Sequence, residues 1–184
     1  LCGLFSFNMN EFDFKAAVWD LNPMHFARSE AVTKQITRII PVSKSMSVLE
    51  FGAGTGITGF MLKEYVKDVT MMDNSPEMVK KIEAKIVDSD AQNLHALFFD
   101  LENNEWAGRK FDLLVTQMVL HHIADINKIT GKFYNILNPG GFIAIADLYP
   151  EDGSFHGEGF TGHPGFNPAE LSQEIDNQGF HNIS

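Results

Sequence analysis

The stretch VLEFGAGTGITGF, residues 48–60, places four glycines after a short apolar run that carries one acid, Glu50. The apolar run predicts a buried strand, and the glycines predict a tight turn into the amphipathic helix that follows. Glycine is needed where the chain turns with positive φ or where a ligand approaches the backbone closely. The stretch therefore predicts a strand, loop and helix unit with a ligand at its loop.

Apolar strands and amphipathic helices alternate along the chain on the carboxyl side of this unit. Short apolar runs predict strands at 68–73, 94–99, 111–116 and 142–146, and helices are predicted after Ser75, over 123–137 and after Asn167. The runs at 94–99 and 111–116 lack strict alternation, which predicts strands covered on both faces. The segment NPGG, residues 138–141, is expected to end a helix before the fifth strand. The alternation predicts an α/β fold with a three-layer, doubly wound, mainly parallel sheet.

The chain of 184 residues is long enough for one core, and we expect a single domain over 1–184. Its parts are a helical cap over 1–40, a ligand-binding core over 41–150, a substrate-side loop over 151–166, and a last helix with the start of a strand over 167–184. Residues 1–8, before Met9, lack the basic region of a signal peptide, and we interpret them as an extension.

Composition narrows the class of partner and the compartment. The formal net charge is −10, so a phosphate backbone would be repelled and nucleic acid is not expected as a partner. Cys2 is the only cysteine, which excludes an intrachain disulfide and favours a cytoplasmic location. No apolar run approaches the roughly 20 residues of a membrane span.

Three acids follow or occupy the ends of successive predicted strands: Glu50, Asp73 and Asp100. Ligands of doubly wound sheets bind beyond the carboxyl ends of the strands. GTGITG, residues 54–59, with Asp73 also fits the dinucleotide pattern, whereas the lysine of a phosphate-binding P-loop is missing. Because Glu50 would repel a pyrophosphate, its position favours a ligand with an ammonium or sulfonium group.

Five segments in order resemble class I S-adenosylmethionine-dependent methyltransferases: VLEFGAGTG, VTMMDNSPEMV, LFFDLE, FDLLVTQMVLHHI and LNPGGFIAIADL. The resemblance extends from about Phe12 to Ser184. The segments AAVWDLNP and VLHHI are most similar to the small-molecule, ubiquinone-biosynthesis-like branch. This family implies S-adenosylmethionine as methyl donor and S-adenosylhomocysteine as product.

The resemblance also implies which residues hold the donor. Its methionine part would be surrounded by Glu50, Gly52, Ala53, Gly54 and Gly56, with Trp19 and Arg28 of the cap closing over that end. Asp73 would hold the ribose, Asn74 and Met78 would flank the adenine, and Asp100 with Leu101 would bind the adenine amino group and edge. Gln117 and Met118 would line the floor near the sulfur.

Histidines and one tyrosine are the candidates for the acceptor side. His121, after the fourth strand, is a candidate general base if the acceptor must lose a proton. The substrate-side candidates are His122, Tyr149, His156 and His163. A metal site of His156, Glu158 and His163 matches no common ligand spacing, so no metal is expected.

Members of this family usually continue with two further strands where this chain stops, at GFHNIS. We therefore expect the C-terminal strands to be truncated, and an open fifth strand could pair with a second copy as a homodimer.

The leading hypothesis is methyl transfer to a small-molecule acceptor by in-line displacement. An NAD-dependent oxidoreductase and a non-catalytic S-adenosylmethionine-binding protein are the alternatives, and the sequence does not identify the acceptor or the atom methylated.

Overall fold

Five parallel strands form one sheet in the order β3-β2-β1-β4-β5 in the computed structural model, which describes residues 11–157 and 159–184. The strands are β1 (Ser47–Phe51), β2 (Asp68–Asp73), β3 (Leu94–Phe98), β4 (Phe111–Gln117) and β5 (Leu137–Ala146). Residues 1–8 and Glu158, on which two of the sequence predictions fall, lie outside the described residues. The central position of β1 places the glycine loop at the middle of the sheet edge.

Six α-helices of the described residues surround the sheet, and two short 3-10 turns lie at Trp19–Leu21 and Leu120–His122. The helices are α1 (Glu11–Lys15), α2 (Pro23–Ile39), α3 (Ile57–Leu62), α4 (Pro76–Ser89), α5 (Ile126–Ile136) and α6 (Pro168–Asn177). Asn22, Ser75 and Asn167 cap α2, α4 and α6 through their side chains, each followed by proline at the first helical position. The helix starts predicted after Ser75 and Asn167 are confirmed. The side-chain oxygen accepts from an N–H of the first turn, and proline has no N–H that would need an acceptor there.

Two apolar clusters cover opposite faces of the sheet and confirm the three-layer prediction. On one face, Ile36 of α2, Leu62 of α3 and Ile82 of α4 pack with inward residues of β1, β2 and β4. On the other face, Phe133 of α5 and Ile175 of α6 pack against the alternate residues of the same strands. Burial on both faces explains why these strands are apolar throughout.

Strand β3 corrects one prediction. The sequence predicted a strand covered on both faces, but β3 pairs only with β2 among the described residues. As an edge strand it is only partly covered, and Phe98 is 49% exposed. An apolar run by itself cannot distinguish an edge strand from a central one, because the neighbours come from distant parts of the chain.

The segment NPGG also differs from its prediction. Instead of separating helix from strand, residues 138–141 lie within β5, whose pairing with β4 shifts register between Phe111 and Leu113. The carboxylate of Asp112, at this irregularity, accepts hydrogen bonds from the Asn138 side chain at 2.8 Å and from the Ser47 backbone at 2.8 Å. Because the ladder is irregular here, the Asp112 carboxylate satisfies the backbone N–H of Ser47 and the side-chain amide of Asn138.

Strand β5 pairs only with β4 within the described part of the chain. The expectations of truncated C-terminal strands and of a homodimer through this edge stay predictions. Among the helices of the described residues, none combines the length and apolar character that a bilayer crossing requires.

Gly52, directly after β1, provides a test of the glycine loop. It has φ +66°, and a Cβ there would lie 2.4 Å from Cγ2 of Val119, whereas Gly140 has φ +77° with no atom within 4 Å of such a Cβ. Both substitutions to alanine carry a left-handed backbone cost of about 1–2 kcal/mol. We expect Gly52→Ala to lose a further ~1–3 kcal/mol of unfolding free energy from the clash.

Urea unfolding of Gly52→Ala and Gly140→Ala measures this difference. Equal losses in the two variants would show that Val119 does not fix the loop.

Candidate active site

A cavity of about 810 Å³ opens at the carboxyl edge of the sheet, between the glycine loop, the ends of β1, β2 and β4, and the N-terminal helices. Most of the residues predicted from the sequence line it. They are Trp19, Arg28, Glu50, Gly52, Ala53, Gly54, Asp73, Asn74, Met78, Asp100, Leu101, Gln117, Met118, His121, His122 and His156. The tertiary structure thus brings together residues spread over more than half of the chain.

Three predicted site residues do not line this cavity. Gly56 is the N-cap of α3, with φ +79°, and a Cβ there would meet Sδ of Met71 at 2.7 Å. Tyr149 is 74% exposed. The ring Nε2 of His163 lies 3.0 Å from the carbonyl of Ile123. Gly56 therefore shapes the turn, and His163 holds the 151–166 loop in place.

Glu50 is almost fully buried and accepts a hydrogen bond from the backbone N–H of Gly59 at 2.9 Å. Burial raises the pKa of its carboxyl to about 8, and the charge of Asp73 acts in the same direction, while the hydrogen bonds from Gly59 and Thr58 oppose the rise. A buried acid of this kind gains from a positive charge placed beside it.

Asp73, at the end of β2, connects three segments of the site. Its Oδ2 accepts from Gly54 N–H at 2.7 Å and its Oδ1 from Ser75 N–H at 2.8 Å. Burial raises the pKa of Asp73 to about 6, although these backbone hydrogen bonds lower it in part. The carboxylate therefore holds the glycine loop against the start of α4 as well as facing the cavity.

The far end of the cavity combines an acid with apolar walls. Asp100 accepts from the backbone N–H of Asn103 at 3.2 Å and from its side chain at 2.8 Å, so its carboxylate is oriented by its own turn. Met78 and Leu101 are each 1% exposed. This end suits a flat, apolar group with a polar edge.

The N-terminal cap is fastened to the glycine loop by polar contacts. Thr55 Oγ1 donates to Asp20, and Lys85 Nζ donates to Asp20 at 3.1 Å and to the Thr55 carbonyl at 2.9 Å. The indole Nε1 of Trp19 would lie 3.6 Å from a Cβ on Gly54. Trp19 therefore covers the loop closely, and the cap limits access of water to it.

The floor of the cavity contains polar residues that sequence reasoning missed. Ser29 of α2 accepts from Gln117 Nε2 at 3.2 Å, and its hydroxyl oxygen lies 3.1 Å from that of Thr58. Met118 adopts φ +58°, which is unusual for a residue with a side chain. No sequence pattern singles out Ser29, because its partners are contributed by α3 and β4.

His121 is 1% exposed, and its Nδ1 lies 2.6 Å from Oδ1 of Asp147, directly after β5. Asp147 also accepts from the backbone N–H groups of Val119, Leu120 and Leu148, at 3.1, 2.9 and 2.8 Å. Burial alone would raise the pKa of Asp147, but these hydrogen bonds and His121 lower it below its usual range. Because an ionised carboxylate only accepts, Nδ1 carries the hydrogen and Nε2 is left to face other groups.

Asp147 was not predicted as a site residue, although a pattern in the sequence could have identified it. It follows the fifth strand on the same sheet edge as Asp73 and Asp100. The strand-end position that identified those two acids therefore applies to Asp147 as well.

Two further histidines lie beside His121. The ring centroids of His121 and His122 are 4.1 Å apart, and His156 of the 151–166 loop lies 4.8 Å from His121. His156 stacks on Phe160 at 3.8 Å. The 151–166 loop is held beside His121 because the backbone N–H of His163 donates to the His121 carbonyl at 2.8 Å.

A family model described as a methyltransferase domain matches residues 49–143, which is more than half of the chain. The chain belongs to the class I S-adenosylmethionine-dependent methyltransferase family. Its match begins within β1 and ends within β5, so it spans the glycine loop and all five strands. Family membership confirms the resemblance stated from the sequence and decides against the NAD-dependent oxidoreductase.

Curated relatives support the same family. The chain is 30% identical over 153 residues to the uncharacterized methyltransferase C1347.09 of Schizosaccharomyces pombe, covering 74% of this chain and 54% of that protein. It is 32% identical over 105 residues to malonyl-[acyl-carrier protein] O-methyltransferase 1 of Ilyobacter polytropus, covering 56% of this chain and 38% of that protein. The chain therefore spans about half or less of the length of these relatives.

Solved structures with low identity share the fold. A S-adenosylmethionine-dependent methyltransferase from Aquifex aeolicus superposes with a TM-score of 0.74 at 17% identity, covering 92% of this chain and 88% of that one. A Haloferax volcanii chain from a complex of the Trm112 methyltransferase activator with a methyltransferase superposes with a TM-score of 0.78 at 22% identity, covering 94% and 77%. These similarities confirm the α/β methyltransferase fold.

The raised pKa of Glu50 generates a pH prediction. Its pKa is about 8 in the folded chain, against an ordinary value of 4.5, so the folded chain binds the extra proton and unfolding free energy falls as pH rises between these values. Glu50→Gln keeps an acceptor for Gly59 without the titrating group. We expect the variant to gain stability relative to wild type, by a few kcal/mol, between pH 5 and pH 8.

Urea unfolding at both pH values measures the gain, with the exposed Glu64→Gln as a matched control. Parallel pH profiles for Glu50→Gln and wild type would contradict a titrating Glu50.

Proposed function

We propose that this protein transfers a methyl group from S-adenosylmethionine to a small-molecule acceptor. The observation that carries the proposal is the row of acids at the carboxyl edge of β1, β2 and β3, in one cavity with the histidines that follow β4. Family membership supports the donor, and the cavity supports the division into a donor end and an acceptor end.

The residues of the cavity fit this donor. Glu50 and Asp73 are buried acids with raised pKa values, so a ligand that brings an ammonium and a sulfonium charge compensates them. Arg28, on the same wall, suits the carboxylate of a methionine group. Asp73 would hold the ribose hydroxyls, and Asp100 with the apolar Leu101 would hold the adenine. When bound, the donor supplies a methyl group on a sulfonium sulfur that leaves as a neutral thioether.

The protein's own contribution to an in-line displacement is alignment and exclusion of water. The cap, fastened through Asp20, Thr55 and Lys85, covers the glycine loop on one side. The 151–166 loop, held by His163, covers the acceptor end on the other side. Aromatic rings of Phe12 and Phe155 line this end and favour a compact, apolar or aromatic acceptor over a polypeptide.

His121 is the residue that we assign to the acceptor proton. Asp147 fixes the ring with Nδ1 toward the carboxylate, which leaves Nε2 free to accept a proton from the acceptor nucleophile. An ionised Asp147 then stabilises the charged ring. His121 would touch the acceptor, and Asp147 would position it.

Donor binding is the first test. We expect S-adenosylmethionine and S-adenosylhomocysteine to bind wild type in titration calorimetry, and Asp73→Ala to lose binding by at least about 100-fold because the ribose contact and the Gly54 contact are both removed. The exposed Asp88→Ala is the matched control and should bind as wild type does.

Failure of both compounds to bind wild type would overturn the proposed donor. Equal binding by Asp73→Ala and Asp88→Ala would remove Asp73 from the site.

Turnover is the second test. On a panel of small phenols, amines, thiols and carboxylic acids, release of S-adenosylhomocysteine by wild type identifies an acceptor. We expect His121→Gln to lower that rate by about 100-fold or more while donor affinity is unchanged, since general base catalysis contributes about this much. His181→Gln, an exposed histidine, is the control.

Donor binding without turnover on the whole panel would instead support the non-catalytic alternative. An unchanged rate in His121→Gln would exclude its role as base.

A further inference from the structure

Three histidines from two separated segments converge at the acceptor end of the cavity. His121 and His122 follow β4, and His156 is contributed by the 151–166 loop. One ring nitrogen from each lies within 4.8 Å of the other two. His121 is buried, the other two are half-buried, and all three line the cavity.

The surroundings of His121 are those of a metal ligand. In protein metal sites, a ligating histidine usually donates its second ring nitrogen to a carboxylate, which fixes the ring and increases its basicity. Asp147 accepts from Nδ1 of His121 at 2.6 Å and is itself held by three backbone N–H groups. The lone pair of Nε2 is therefore directed by a rigid support.

The spacing of the cluster is close to that of a metal site. With metal–nitrogen bonds of about 2.0–2.1 Å, tetrahedral ligands lie roughly 3.3 Å apart, so the cluster must contract by roughly 1.5 Å at its widest separation. His156 can supply this movement because it lies between Gly153 and Gly157, both in the left-handed region with open space around them. Movement of this loop side chain would bring its ring closer to the buried pair of His121 and Asp147.

We propose that His121, His122 and His156 bind a divalent transition-metal ion, with Zn²⁺ the best match to three neutral imidazoles. Three protein ligands leave a fourth position open, as in catalytic rather than structural zinc sites. Because all three histidines line the cavity, the fourth position would be open to it. This proposal revises the expectation of no metal, and it replaces the ligand set of His156, Glu158 and His163, since His163 instead contacts the Ile123 carbonyl.

If this end of the cavity binds the methyl acceptor, as proposed above, the ion would give it a specific chemistry. An acceptor hydroxyl or thiol bound at the open position would have a lowered pKa, because the ion stabilises the alkoxide or thiolate. Its proton leaves to water, and its electron pair stays on the heteroatom as the nucleophile. With the ion bound, Nε2 of His121 would be a ligand and could not also act as the base assigned to it above, so the ion would activate the acceptor in its place.

Metal binding is measured without reference to activity. The full chain is stripped with a chelator, dialysed against limiting Zn²⁺, and analysed for bound metal, and Co²⁺ is added separately to record its visible absorption. We expect one ion per chain and the intense bands of tetrahedral Co²⁺ in wild type and in the control His181→Ala. His156→Ala and His122→Ala should each bind at least about 10-fold more weakly, and Asp147→Asn about 10- to 100-fold more weakly.

Thermal unfolding of the metal-free variants establishes that they fold. If a variant does not fold, the wild-type Co²⁺ spectrum decides: absence of tetrahedral bands, or no Zn²⁺ retained by wild type, overturns the proposal. Equal binding by wild type, His156→Ala and His122→Ala also overturns it, because the ion is then elsewhere. Calorimetry with S-adenosylhomocysteine on the same samples reports the donor site separately, so loss of metal and loss of donor binding are distinguishable.

Discussion

The hydrogen bonds that the Asp73 carboxylate accepts are the interaction on which the site depends. Gly54 of the loop and Ser75 at the start of α4 belong to different crossovers, and one buried carboxylate binds the N–H groups of both. Burying this charge costs free energy, as its raised pKa records, and the backbone donors offset part of that cost. Because the loop is fixed by a group that also faces the cavity, loop geometry and ligand affinity are coupled at one residue.

The two ends of the cavity differ in how their charges are compensated. Beside the glycine loop, Glu50 and Asp73 both have raised pKa values, so this end favours a cationic ligand. Beside the histidines that follow β4, the pKa of Asp147 is lowered because its carboxylate accepts hydrogen bonds from His121 and the backbone. One end is therefore prepared to receive positive charge, and the other is a preorganised support for a histidine.

Two segments outside the sheet contribute to the walls of this cavity, the N-terminal cap and the 151–166 loop. The cap is held to the glycine loop by contacts among Asp20, Thr55 and Lys85. The 151–166 loop is held by His163 and by the backbone N–H of Phe166, which donates to the Leu148 carbonyl at 2.8 Å. The same loop contributes His156 to the wall of the cavity.

By itself, the sequence determined the first two strands, at 47–51 and 68–73, and the helix starts at Ser75 and Asn167, because these depend on local patterns and short spacings. The donor-binding residues came from the family resemblance, and their roles stay predictions. The sequence could not place β3 at the edge, extend β5 through NPGG, or pair Ser29 with Gln117. Nor could it join His156 to His121, although each was singled out. These features depend on contacts between segments tens of residues apart, and only the tertiary structure decided them, since packing and hydrogen bonding across the sheet edge have no local pattern in the chain.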